Sequence, residues 1–384
     1  MTRPRVLFVN HSSLLSGAEL VLADAVGPWR GATAFLFEDG PLAAALAARG
    51  LAVEQAGMGR ALAGLRRDSS PLRALPLAGR LAALTLALAG HARRHDLVYA
   101  NSQKAFILAA LATAAVRRPL IWHLHDILDP VHFGPAQRRL QIGLAHARAA
   151  RVVVPSAAVA ESFVAAGGRR DLLTVVPNGL DVIPDPRPRS ELRRALGLPE
   201  GPLVGAFSRL APWKGQHVLL RALARLPGVH GVVAGSALFG EDAYAAELEG
   251  LAATLGLAGR LTFLGQRSDV PRLMQAMDVV VHPSIHPEPF GRTLVEAMLA
   301  GVPVVATDAG AAAEILDGGR AGTLVPPDDP AALAAALARI LAGEAAPAAA
   351  VAVARTRART LYPVGRMQDE IAGIIGRVAR EARA

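Results

Sequence analysis

Val279-Val280-Val281-His282-Pro283-Ser284-Ile285-His286-Pro287-Glu288-Pro289-Phe290-Gly291-Arg292-Thr293-Leu294-Val295-Glu296-Ala297-Met298 is the stretch on which the reading of this chain turns. Its first three valines read as a buried strand. A helical pattern follows and stops at Gly301, a residue suited to a C-terminal cap. Two carboxylates therefore flank a strand-to-helix turn. Glu288 is locked between Pro287 and Pro289, and Glu296 falls about one and a half turns into a helix that starts near Arg292. A helix N-terminus behind a Phe-Gly step offers backbone N–H groups to an anion, and carboxylates suit neighbouring hydroxyls. Phosphate and hydroxyls on one turn describe a sugar nucleotide. The plainer alternative makes Glu288 a solvated loop residue and Glu296 a helix-surface charge.

Through the rest of the second half, strand and helix signals alternate. A strand at 203–207 is followed by Ser208-Arg209-Leu210-Ala211-Pro212-Trp213-Lys214-Gly215, then by a helix over about 216–226. Two cations five residues apart, at a strand end and a helix start, can clamp a diphosphate together with helix N–H groups. The alternative is two surface charges. Strands are expected at 230–234, 261–265, 302–306 and 324–325, with Asp269 capping a helix through Met277. The turn Asp308-Ala309-Gly310-Ala311-Ala312-Ala313-Glu314 follows the strand at 302–306. Alanine-rich helix runs over 331–359, interrupted near Pro347, and the tail over 362–380 is again helical.

The first half repeats the alternation. A strand over 5–10 leads through a polar loop to Ser16-Gly17-Ala18-Glu19 and an apolar helix, the phosphate-facing corner of a Rossmann-like unit. A strand at 97–100 ends at Asn101, a candidate because ligands bind at strand carboxyl ends in open α/β sheets. In Leu120-Ile121-Trp122-His123-Leu124-His125-Asp126 a strand puts both histidines on one face. A metal pair, a hydrogen-bonded core histidine and a ligand-facing histidine are all open; His123 suits the core role and His125 the ligand-facing one. Ser156 caps the helix after the strand at 151–154. Residues 72–94, with Arg73, Arg80, Arg93 and Arg94, read as one long helix that either packs on a sheet or docks on a membrane.

Composition bounds the rest. The 384 residues suffice for two or three domains, and the absence of cysteine excludes disulfides and thiolate metal sites. No apolar run is long enough to span a bilayer, and no secretory leader is evident at the N-terminus. The net charge of +9 lies wholly in residues 1–190, which carry 22 Lys/Arg against 13 Asp/Glu. Such a half is either a basic solvated surface or a face for anionic lipid or a phosphorylated acceptor. Few aromatics and no recognised motif argue against nucleic acid. Only two of the 41 basic residues are lysines, Lys104 and Lys214, which singles out Lys214 in its motif.

The Glu288-to-Glu296 spacing resembles the Glu-x7-Glu motif of retaining glycosyltransferases of the GT-B fold, most closely family 4. The Ser16-Gly17-Ala18-Glu19 loop is similar to that family's Gly-Gly-Ala-Glu, with Ser16 for the first glycine. His125-Asp126 is similar to its His-Asp strand end, and Pro177-Asn178-Gly179-Leu180-Asp181 to its Pro-Asn-Gly-Val-Asp turn. Arg209 and Lys214-Gly215 are similar to its Gly-Arg-Leu…Lys-Gly element, with Ser208 for the glycine. Ala309 replaces one glycine of its Gly-Gly…Glu turn.

The resemblance implies an α/β protein of two Rossmann-like domains with parallel sheets facing across a cleft. It implies an acceptor-side domain at 1–183, a linker at 184–190, a nucleotide-sugar domain at 191–362, and a helix at 363–384 crossing back to the first domain. The implied catalytic set is His125, Arg209, Lys214 and Glu288. The donor set is Gly17, Arg209, Lys214, Glu288, Phe290, Gly291, Leu294, Val295 and Glu296, with Glu288 on the sugar and Glu296 on the ribose. Ser16, Asn101, His125 and Asp126 make the acceptor side. The expected reaction is retaining transfer from a UDP- or GDP-sugar to a glycan or lipid-linked acceptor, in polysaccharide biosynthesis. No metal and no cofactor is expected, two cations serving the diphosphate in a chain without an Asp-x-Asp cluster. The expected location is cytoplasmic, with peripheral contact on an anionic inner membrane face. A sugar-nucleotide epimerase of the same fold is the alternative enzyme, and a catalytically dead binding module the non-enzymatic one.

Overall fold

β1 (Val6–Asn10) opens with four apolar residues and is buried along its whole length, the mark of a parallel strand covered on both faces. The computed structural model describes residues 3–57, 78–238, 240–344 and 347–383. It divides into two compact units, 1–179 with 364–384 and 180–363.

In unit 1, β1 is followed by α1 (Gly17–Ala25), β2 (Thr33–Leu36), α2 (Pro41–Ala47), β3 (Ala52–Gln55), α3 (Ala78–Arg93), β4 (Leu97–Ala100), α4 (Gln103–Val116), β5 (Leu120–His123), α5 (Pro135–Arg148), β6 (Ala149–Val154), α6 (Ala157–Ala165) and β7 (Leu173–Val175). The seven strands pair in parallel in the order β3-β2-β1-β4-β5-β6-β7. Alternate residues of the central strands serve opposite cores. Leu7 and Val9 join the layer with α3 and α4, whereas Val6 and Phe8 join the other. In unit 2, α7 (Arg189–Leu196) precedes β8 (Leu203–Phe207), α8 (Gln216–Leu223), β9 (His230–Ala234), α9 (Asp242–Thr254), β10 (Leu261–Gly265), α10 (Val270–Ala276), β11 (Val279–His282), α11 (Arg292–Ala300), β12 (Val304–Thr307), α12 (Ala312–Ile315), β13 (Thr323–Val325), α13 (Pro330–Leu341) and α14 (Pro347–Leu361). Its parallel order is β10-β9-β8-β11-β12-β13. Both units are thus doubly wound Rossmann-like sheets, whose order reverses between β1 and β4 and between β8 and β11.

α15 (Val364–Glu381) belongs to unit 1. Met367, Ile371, Ile374, Ile375 and Val378 form one apolar stripe at helical spacing and enter the core with Val6, Phe8 and Val21. Asp185 ties the proline-rich stretch before α7 to α10. The Asp185 N–H donates to Gln275 Oε1 at 2.8 Å, and the Asp185 carboxylate takes both Arg187 and Arg272. α3 buries Leu84, Leu88, Ala89 and Ala92 in a core, so its described part is a packing helix; residues 72–77 of the expected long helix lie outside the described residues. Ser156 caps α6 by accepting the Val159 N–H, and Gly301 closes α11 in the left-handed conformation. Asp269 departs from expectation. Its carboxylate makes no cap bond to α10 because Arg267 occupies both of its oxygens, at 2.9 and 2.8 Å.

Candidate functional site

Ligands of doubly wound sheets bind at strand carboxyl ends beside the reversal of strand order, and each unit places a polar cluster there. In unit 2 the chain leaving β8 runs through a short 3-10 turn, Pro212–Lys214, into Gly215 at φ 69°. The Ile285 N–H donates to the Trp213 carbonyl at 2.9 Å. A Cβ on Gly215 would fall inside contact distance of the Pro283 carbonyl oxygen, so both conformation and space require glycine. This close approach delivers Lys214 to the loop after β11. Its Nζ lies 2.5 Å from Glu288 Oε2.

The same carboxylate oxygen faces His282 Nε2 at 3.2 Å and Ser284 Oγ at 3.3 Å. A carboxylate only accepts, so His282 carries a proton on Nε2, and its Nδ1 lies 3.0 Å from Thr293 Oγ1. Ser284 is held in turn by its carbonyl, which accepts from Thr307 Oγ1 at 2.5 Å. Glu288 is only 8% exposed. Burial by itself would raise its pKa, but Lys214 and His282 outweigh burial and hold the carboxyl well below the usual carboxylate range. Burial lowers the Lys214 pKa as well, against the pull of Glu288. The Glu288 backbone is pinned by the Ala311 N–H at 2.8 Å, over Gly310, where a side chain would collide with it. Trp213 lies beneath two cations, with Lys214 Nζ 4.1 Å and Arg209 Cζ 5.4 Å from its ring centroid.

α11 starts from Gly291 at φ 85° with no side chain capping its N-terminus. Phe290, Leu294 and Val295 are core residues, Phe290 packing edge-on against Tyr362 at 5.6 Å. Their side chains are therefore not offered to a ligand, and only their backbone N–H groups can be. Glu296 lies 3.9 Å from Arg292 Nε on the same helix.

In unit 1 the cluster lies where β1, β4 and β5 end. Asn10 Nδ2 donates to Ser12 O at 2.7 Å and to Glu19 Oε1 at 3.1 Å. Ser16 Oγ bonds the other Glu19 oxygen. Asn101 Nδ2 donates to Asn10 Oδ1 and to Ala18 O, and Asn101 Oδ1 faces His125 Nε2 at 2.9 Å. Asp126 accepts from Gln103 Nε2, and Gln103 is itself held by Gln141. β5 ends at His123, so His125 lies beyond the strand rather than on it. The His123 and His125 ring centroids lie 3.9 Å apart with their planes tilted by 40°, and Tyr99 bonds His123 Nδ1 at 2.7 Å. His123 takes the core role, and burial pushes its pKa down. Among the described residues no group of three or more His, Asp or Glu side chains could hold a metal ion. Gly17 is the first residue of α1 at an ordinary φ, and a Cβ there would meet nothing, so crowding does not demand glycine.

Sequence reading named Arg209, Lys214 and Glu288, which the fold brings together, and Ser16, Asn101, His125 and Asp126, which line one cluster. It gave no role to His282, Ser284, Thr293, Asn10 or Glu19. For His282, Ser284 and Asn10 the signal was position, at or beside the carboxyl ends of β11 and β1, and for Glu19 it was its place in the Ser16-Gly17-Ala18-Glu19 loop.

Comparison with known proteins bears on the family and the fold. Anabaena HepE, solved in complex with UDP and glucose and also with UDP-glucose, superposes with a TM-score of 0.88 at 39% identity. The match covers 97% of this chain and 100% of that one. Residues 188–357 match the family described as glycosyl transferases group 1, and residues 40–179 the glycosyl transferase 4-like domain. The chain belongs to the group 1 glycosyltransferases. Its two sheets are the two Rossmann-like domains of the GT-B fold. Among curated members of this glycosyltransferase family, the lipopolysaccharide core biosynthesis mannosyltransferase LpsB of Rhizobium meliloti is 35% identical over 47% of this chain and 55% of its own length. The D-inositol 3-phosphate glycosyltransferase of Mycobacterium marinum is 40% identical over 45% of this chain and 38% of its own. The chain thus spans about half or less of the curated relatives that it matches. No helix among the described residues is long and apolar enough to cross a membrane.

Proposed function

We propose that this chain moves a hexosyl unit from a nucleotide-diphosphate sugar, UDP-glucose first among the candidates, to a hydroxyl of a glycan or lipid-linked acceptor, with retention at the anomeric carbon. The observation that carries this reading is the buried Glu288 carboxylate held ionised beside Lys214 and Arg209 at the carboxyl ends of β8 and β11. One such place offers fixed positive charge for a pyrophosphate and a carboxylate for sugar hydroxyls. Arg209, Lys214 and the N–H groups opening α11 stabilise the charge that grows on the departing diphosphate. Glu288, kept in one orientation by His282 and Ser284, holds the sugar hydroxyls, and Glu296 the ribose.

In the transfer, the bond between the anomeric carbon and the diphosphate oxygen breaks and its electron pair stays with the diphosphate. The acceptor oxygen bonds the anomeric carbon on the same face, and its proton passes to the leaving phosphate. Nucleoside diphosphate and glycoside are the products. HepE, solved with UDP-glucose, supports UDP as the nucleotide, and the names of LpsB and the inositol-phosphate enzyme support a glycan or phosphorylated acceptor. The basic surface of residues 1–190 suits that acceptor and peripheral work at the cytoplasmic face of an anionic membrane, in polysaccharide biosynthesis.

The test needs no acceptor. Slow hydrolysis of UDP-glucose by the full chain is followed by NMR. Retention predicts α-glucose as the first sugar released. First release of the β anomer refutes retention, and appearance of an isomeric UDP-sugar assigns the chain to the epimerases.

A further inference from the structure

One carboxylate oxygen in unit 2 takes every side-chain donor that reaches Glu288. Lys214 Nζ lies 2.5 Å from Oε2, His282 Nε2 3.2 Å and Ser284 Oγ 3.3 Å. Among the described residues none donates to Oε1. A half-turn of the carboxylate only exchanges two identical oxygens, so one oxygen always holds this set and the other faces away from it. His282 and Ser284 are 4% and 1% exposed. His282 is the last residue of β11, and its Nδ1 lies 3.0 Å from Oγ1 of Thr293, the second residue of α11. A hydroxyl can donate to a bare Nδ1 or accept from a protonated one, so this contact holds in either charge state of the ring. The Ser284 carbonyl is held by Thr307 Oγ1. The Glu288 backbone is held by the Ala309 carbonyl at 3.3 Å and the Ala311 N–H at 2.8 Å.

We infer that Thr293, acting through His282, is a positioning residue that joins Ser284 and Lys214 in saturating Glu288 Oε2, and so leaves Oε1 as the one oxygen offered to a hydroxyl of the donor sugar. An unrestrained carboxylate turns about its last bond and offers either oxygen, or both, to neighbouring hydroxyls. Here its plane is set by donors from the turn after β8, the end of β11 and the loop that follows. Because Thr293 stands in the first turn of α11, the carboxylate and the N–H groups that open this helix are held in one fixed relation. The sugar hydroxyl rests on the transferase reading above; the order of the carboxylate does not.

The test is calorimetric titration of UDP and of UDP-glucose into the full chain. Thr293→Val keeps the shape and deletes the hydroxyl. Its ratio of dissociation constants, UDP-glucose over UDP, should rise about fivefold over the wild type, the loss of roughly one hydrogen bond. UDP alone, which lacks the sugar, should stay within about twofold. Thr293→Ser restores the hydroxyl and should keep the wild-type ratio. Ser284→Ala removes another donor from the same oxygen and should raise the ratio as Thr293→Val does. A merely structural role would weaken both nucleotides alike. An unchanged ratio in Thr293→Val and Ser284→Ala, equal weakening of UDP and UDP-glucose in both, or a Thr293→Ser protein that behaves as Thr293→Val each overturns the inference. If the wild type binds neither nucleotide, the transferase reading fails, and the positioning is read without ligand from the chain labelled with 15N at histidine. A slowly exchanging His282 Nε2–H, assigned by its loss in His282→Gln, is expected in the wild type and in Thr293→Ser, with about tenfold faster exchange in Thr293→Val. Absence of that resonance from the wild type, or equal exchange in Thr293→Val, overturns the positioning itself.

Discussion

Breaking the Lys214–Glu288 pair tests how the site in unit 2 is built. Both side chains are largely buried, at 12% and 10% exposure, so removing one partner leaves a charge without compensation, at a typical cost of about 3–5 kcal/mol. Glu288 keeps His282 and Ser284 when Lys214 is lost, which puts Lys214→Met at about 3 kcal/mol, the low end of that range. Glu288→Gln leaves the ammonium above Trp213 and beside Arg209, with a pKa that burial already lowers. It should cost a similar ~3 kcal/mol. The double variant has no unpaired charge and should cost no more than either single, a coupling of about 3 kcal/mol. Urea unfolding followed by tryptophan fluorescence reads this, Trp213 being the one tryptophan of unit 2. The pH dependence carries a sign. Because the folded Glu288 pKa lies below the ordinary 4.5, its contribution is present above that pH and is lost as pH falls from there toward the depressed value. Glu288→Gln should remove this acid-side loss. Single variants costing under about 1 kcal/mol, or a coupling under about 0.5 kcal/mol, would mark the pair as an ordinary surface contact and overturn this picture of the site.

Two further outcomes are expected. Gly215→Ala must place a side chain at φ 69° against the Pro283 carbonyl; a loss of about 3 kcal/mol in unfolding free energy with weakened UDP binding is predicted, and wild-type values would contradict it. Glu19→Gln keeps both hydrogen-bond partners while removing a carboxyl whose pKa burial raises against Ser16 and Asn10. The wild-type contribution is present below the ordinary 4.5 and is lost as pH rises through the raised folded value. Thermal unfolding should therefore show the variant gaining on the wild type as pH rises above the ordinary 4.5, and a loss relative to wild type on that rise would contradict the assignment.

The fold was legible because buried parallel strands are short apolar runs, as in Leu203–Phe207 and Val279–His282, and some helices carry a legible cap or stop, as at Ser156 and Gly301. The charged members of the site were legible because Arg209, Lys214 and Glu288 stand at strand ends in the company of Pro, Gly and Trp. What sequence could not convey is pairing across distance. Lys214 meets Glu288 74 residues away, and Asn10 meets Asn101 91 residues away. Neither contact has a local signature. Phe290, Leu294 and Val295 sit within the motif yet point into the core, because a helix start that faces a ligand with its backbone must bury its apolar side chains behind. Asp269 had the position of a cap, but a bidentate arginine two residues away offered the stronger bond.

Calorimetric titration of UDP into the wild-type chain and into Lys214→Ala bears most immediately on whether unit 2 grips a diphosphate. Saturable binding to the wild type is expected, with at least a tenfold weaker dissociation constant in the variant, about 1.4 kcal/mol or more. Equal affinity in the two proteins, or no binding to the wild type, would contradict the diphosphate clamp.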